Sequence, residues 1–119
     1  MRSKEEVLSM RRMHQEGIRH LNEARKMSAR RLADKFECAL GTILRVTQDR
    51  TIESTRVLDA DDVRLIRELY DEGRRHHAEW EKRSIPEIAK RHNAGITATR
   101  DVVRYRSYRY ILDKEQSNE

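Results

Sequence analysis

The chain aligns with itself without a gap when shifted by 56 positions, the interval from Val7 to Val63, and a repeat of that period means a structural unit built twice. The same shift places Met10 on Ile66, Met13 on Leu69, Glu16 on Glu72, Gly17 on Gly73 and His20 on His76. Further along it places Ser28 on Ser84, Leu32 on Ile88, Ala33 on Ala89, Lys35 on Arg91, Val46 on Val102 and Arg50 on Arg106. Apolar, glycine and capping positions agree together, so the two copies share an architecture and not merely a composition.

Within each copy the apolar residues recur at helical spacing. Val7, Met10 and Met13 in the first, and Val63, Ile66, Leu69 and Tyr70 in the second, fall on one face of an amphipathic helix. Asp59 or Asp61 is a suitable cap for the second of these, and Gly17 and Gly73 are expected to end or kink them. A polar insert follows, 18–27 and 74–83, with Leu21 in one copy and Trp80 in the other; it either extends the first helix or forms a short one of its own. Two short helices then close each copy, 29–36 and 40–48, matched by 85–92 and 96–104. Ser28 and Ser84 are natural N-caps, Ser84 with Glu87 as a capping box, and Pro86 stands in the first turn where a missing N–H does no harm. A single proline and four glycines in 119 residues agree with an all-α chain.

The short helices have the pattern of a helix-turn-helix, in which two helices cross steeply and the first needs a small residue at the close approach. Ala33 and Ala89 supply it, Leu32 and Ile88 point into the core beside them, Cys38 and Ala94 are the small residues of the turn, and Val46 and Val102 anchor the second helix. The expected fold is therefore all-α with two tandem helix-turn-helix units. They are placed at 1–51 and 60–112, with a linker at 52–59 and a disordered tail at 113–119.

The stretch from Ser84 to Ile111 resembles helix-turn-helix segments common in phage and mobile-element proteins, both regulators and the DNA-docking tails of homing-type nucleases. Its ending from Arg104 to Arg109 is similar to the basic, aromatic tail that follows the recognition helix there. The resemblance covers about a quarter of the chain well, extends weakly through the repeat, and implies DNA binding more firmly than a biological role. The family usually has glycine at the turn, where this chain has Glu37 and Asn93, of which Asn93 tolerates a left-handed backbone and Glu37 is unsuited to it. His92 and Thr99 stand where apolar residues are usual, whereas the first copy keeps Phe36 and Ile43.

Charge points the same way. Lys and Arg number 26 against 21 acids, a net charge of +5, and the excess is clustered. One cluster lies between Arg19 and Lys35, the other at Arg100, Arg104, Arg106 and Arg109, and such patches attract phosphate. With the recognition helix in the major groove, the second copy offers Ile96, Thr97, Arg100 and Arg104. Arg100 is suited to a guanine, Thr97 to a thymine methyl or a phosphate, and Arg104, Arg106 and Arg109 to phosphates. The first copy offers Leu40, Thr42, Leu44, Arg45, Gln48 and Arg50; an exposed Leu44 would meet a thymine methyl or pack on the other repeat. The tyrosines of the tail read as mainly structural. The segment 51–58, with Arg56, reads as a spacer in preference to a minor-groove strand. Two unlike readers in one chain favour an asymmetric duplex site covering two successive major grooves.

Other chemistries find little footing. Only 36% of residues are hydrophobic against 39% charged, leaving little for a core plus an enclosed pocket. Cys38 stands alone, so neither an intrachain disulfide nor a Cys-x-x-Cys site exists. The five histidines form no His-Glu-x-x-His, the acids show no paired catalytic arrangement, and no glycine loop would cradle phosphate. The expectation is a non-enzyme without metal or cofactor, partnered by double-stranded DNA and open to a protein partner or a second copy. Met1 opens a charged segment without a signal-peptide core and no apolar run approaches a membrane span, which suggests a soluble, cytoplasmic or nucleoid protein. A phage-type repressor heads the functional readings, ahead of a DNA-packaging or recombination accessory factor and an interaction adaptor.

Overall fold

The computed structural model describes residues 2–111, and the expected disordered tail at 113–119 lies outside the described residues. Those described form six α-helices and no strand: α1 (Lys4–Lys26), α2 (Ala29–Lys35), α3 (Leu40–Gln48), α4 (Ala60–Glu81), α5 (Ile85–Arg91) and α6 (Ile96–Val103). The starts of α1, α2 and α3 lie 56 positions before those of α4, α5 and α6, the interval that also separates His20 from His76.

Equivalent residues open the long helices. Ser3 Oγ accepts the Glu6 N–H at 3.1 Å, while Asp59 Oδ1 accepts the Asp62 N–H at 2.8 Å and Asp62 Oδ2 accepts that of Asp59 at 3.4 Å. The second of these is a reciprocal capping box. Ser28 caps α2 by accepting the Arg31 N–H at 3.3 Å. Ser84 departs from expectation: its backbone enters α5 like an N-cap, but its hydroxyl donates back to the Glu81 carbonyl at 3.0 Å, so no capping box with Glu87 forms. Pro86 does occupy the first turn of α5.

The long helices run through their glycines, which corrects the expectation of a break there and shows that the inserts extend the first helices. Both glycines are buried where another segment crosses closely. A Cβ on Gly17 would lie 2.9 Å from Arg83 Cβ, and one on Gly73 would lie 2.8 Å from Met27 Cβ. Glycine is kept here for absence of volume, not for backbone freedom.

The described residues form two compact units, one from 2–19 together with 79–111, the other from His20–Ala78. In the latter, Leu32, Ala33, Ile43, Val46 and Leu58 pack with Val63 and Ile66 of α4, and Ile52, Phe36, Leu69 and Tyr70 extend the cluster. In the former, Val7 and Met10 of α1 pack with Ile88, Val102, Val103 and Ile111. Each fully buried Met10 or Ile66 contributes about 2 kcal/mol. The long helix of each repeat thus serves the short pair of the other, and the units differ from the expected division at 1–51 and 60–112. Helix continuity is the reason: an unbroken helix carries Val7 roughly 30 Å from the start of α2, out of reach of its own pair. The expected spacer is also tied down, since Leu58 is buried, Ile52 packs beside it, and Leu58 N–H is held by Thr55 Oγ1 at 3.1 Å.

Candidate nucleic-acid interface

Each short pair turns on a residue with a left-handed backbone, Glu37 at φ 53° and Asn93 at φ 50°. The turn is closed by the N–H of Cys38 on the Ala33 carbonyl at 3.0 Å and that of Ala94 on the Ala89 carbonyl at 2.8 Å. Leu32, Ala33, Ile88 and Ala89 are all buried, which fixes the inner side of α2 and α5 and leaves α3 and α6 to be oriented by their own buried faces. Those faces are Ile43, Val46 and Thr47 in α3, and Thr99, Val102 and Val103 in α6. Thr99 fills the place equivalent to Ile43 without loss because its hydroxyl, fully enclosed, donates to the Gly95 carbonyl at 2.9 Å. His92 is the C-cap of α5 with Nδ1 3.3 Å from Glu6 Oε1, a polar contact in place of the apolar packing of Phe36.

Opposite those faces lie most of the residues singled out by sequence. On α6, Ile96, Thr97 and Arg100 are exposed; Arg104 caps its C-terminus, and Arg106 and Arg109 are exposed in the segment that follows. On α3, Leu40, Arg45 and Gln48 are exposed, whereas Thr42 and Leu44 are half-buried, which for Leu44 leans towards packing, one of its two expected roles. Arg50 is exposed yet already paired, 2.7 Å from Asp71. By contrast, Arg45, Arg100, Arg104, Arg106 and Arg109 take part in no side-chain hydrogen bond or ion pair among the described residues. The His14 imidazole is held below its ordinary value, first by burial and then by the charge of Arg104.

Sequence reasoning missed the two arginines that hold these segments. Arg11 is fully buried; its Nε donates to the Val102 carbonyl at 2.9 Å, Nη2 to those of Ser107 at 3.1 Å and Tyr108 at 3.0 Å, and Nη1 to that of Ile111. Its guanidinium carbon lies 4.0 Å from the Tyr105 ring centre. Arg67, its counterpart in the repeat, donates from Nε to the Val46 carbonyl at 2.7 Å and from Nη2 to those of Asp49 and Ile52. The signal was present: the shift that pairs the core residues also pairs Arg11 with Arg67, a charge in each apolar face. Tyr105 and Tyr108 are engaged inward, the latter accepting the Arg2 N–H at 3.0 Å, whereas Tyr110 is 75% exposed.

His20 and His76 meet through Nδ1 at 2.8 Å, one donating and the other accepting. Among the described residues no group of three or more His, Cys, Asp or Glu side chains is placed to hold a metal, and no helix is long and apolar enough to cross a membrane. Comparison with protein families, with curated proteins and with solved structures finds no match, so the functional reading rests on the geometry of α3, α6 and the basic segment after α6.

Proposed function

We propose that this chain is a double-stranded-DNA-binding protein whose α2–α3 and α5–α6 pairs are tandem helix-turn-helix units, with α3 and α6 as recognition helices, acting as a phage-type transcriptional repressor. The observation that carries the reading is the set Arg100, Arg104, Arg106 and Arg109, exposed and without a carboxylate partner among the described residues. Exposed guanidinium groups on and just after α6, without a carboxylate partner among the described residues, suit phosphates and base edges, and occupancy of a promoter requires no reaction chemistry. The left-handed turns and the small Ala33 and Ala89 at the helix crossings support the same reading. The exposed residues of α6 and α3 differ, Ile96, Thr97 and Arg100 on one against Leu40, Arg45 and Gln48 on the other, which favours an asymmetric site. Holding two readers in one chain raises the effective concentration of the second once the first is bound.

Duplex binding measured across a range of salt concentrations tests this. The wild type is expected to bind with steep salt dependence, and Arg100→Gln with Arg104→Gln to flatten the slope by about 2, at nearly one counterion per lost contact. Absence of duplex binding, or a slope unmoved by the double substitution, would contradict the assignment and favour an interaction adaptor.

A further inference from the structure

We propose that Arg11 is a positioning residue for DNA binding, which holds the segment after α6 in the one shape from which Arg104, Arg106 and Arg109 reach phosphate. The inference rests on the DNA-binding reading. Four carbonyls, those of Val102, Ser107, Tyr108 and Ile111, converge on one enclosed guanidinium. No carboxylate accompanies it among the described residues; the Val102 carbonyl at the negative end of α6, the three carbonyls of the segment that follows and the Tyr105 ring carry the compensation. The backbone they belong to is unfavourable by itself, because Tyr105 and Tyr108 have φ of 60° and 55°. Side chains other than glycine, asparagine and aspartate rarely adopt that region unless the surroundings impose it. Backbone bonds close the turn at Tyr105, with the Arg106 N–H on the Asp101 carbonyl at 2.8 Å, and Arg11 ties that turn to the one at Tyr108, bridging carbonyls on both sides of each strained residue with a planar fork that lysine lacks.

The chain also contains its own control. Arg67 makes the equivalent Nε bond to Val46 and holds the segment through Asp49 and Ile52, but the arginine on that segment, Arg50, is already paired with Asp71. One device therefore occurs twice, and of the two clamped segments only the one held by Arg11 presents unpaired arginines. Losing either clamp weakens the fold; losing Arg11 alone weakens the grip on phosphate.

The test compares Arg11→Lys with Arg67→Lys in the full chain, reading thermal unfolding and the salt dependence of duplex affinity. Both variants are expected to melt earlier, and Arg11→Lys alone to flatten the salt slope, by about 2 to 3 for up to three lost phosphate contacts. Should Arg11→Lys not fold by itself, it is combined with Tyr108→Gly, which removes the cost of that left-handed position; the slope of the double variant is expected to be flattened, while Tyr108→Gly alone keeps the wild-type slope. Equal slopes for the two lysine variants, or a wild-type slope in the double variant when it stands in, overturn the inference while leaving DNA binding intact. A wild type that does not bind duplex overturns the functional reading, and the inference falls with it.

Discussion

Glu37 holds a left-handed backbone that its side chain disfavours, at a position whose counterpart is the more tolerant Asn93. Glu37→Gly is expected to stabilise the chain by about 1 kcal/mol, and denaturant unfolding checks it; a loss of stability would show that Glu37 makes a compensating interaction. His14 gives a pH signature. Its folded value is lowered from 6.5, so unfolding takes up a proton. Its contribution is complete above that value and is lost as pH falls through the ordinary value towards the lowered one. Between pH 7.5 and 5.5 the wild type should therefore lose more stability than His14→Gln, and equal losses would contradict this. At this scale the turn residues and the buried alanines were legible, because volume and backbone sign leave marks in residue type. Arg11 and Arg67 were not read, since an arginine in an apolar face looks like a helix-surface residue until the carbonyls that meet it are known.

Helix limits were legible nearly to the residue for α2, α3, α5 and α6, because caps and apolar spacing agree there. The glycines misled, since composition alone does not distinguish a glycine that ends a helix from one that admits a neighbour. Gly73→Ala places a methyl 2.8 Å from Met27 Cβ and is expected to cost about 1–3 kcal/mol by thermal melting, whereas Gly41→Ala meets nothing within 4 Å and should not destabilise. Capping separates two similar-looking positions. Asp59→Ala loses a cap bond and should cost about 1 kcal/mol, while Ser84→Ala loses no cap bond and should cost clearly less. Equal costs would mean that Ser84 caps α5 in solution.

For the whole molecule, the repeat announced its period but not its packing. Apolar spacing shows which face of α1 is buried and is silent about what buries it, so the exchange of long helices between repeats emerged only with the cores around Met10 and Ile66. Neither repeat holds a complete core of its own. Fragments 2–58 and 59–111 are expected to be poorly helical apart and to regain helicity by circular dichroism when mixed; full helicity in each alone would contradict the exchange. The central claim, sequence-specific reading of duplex DNA by α3 and α6, is tested most directly by selecting bound sequences from a random duplex pool. The account predicts one asymmetric motif, with Arg100→Gln relaxing the preference at one base pair. No enrichment, with affinity that only declines with salt, would contradict it.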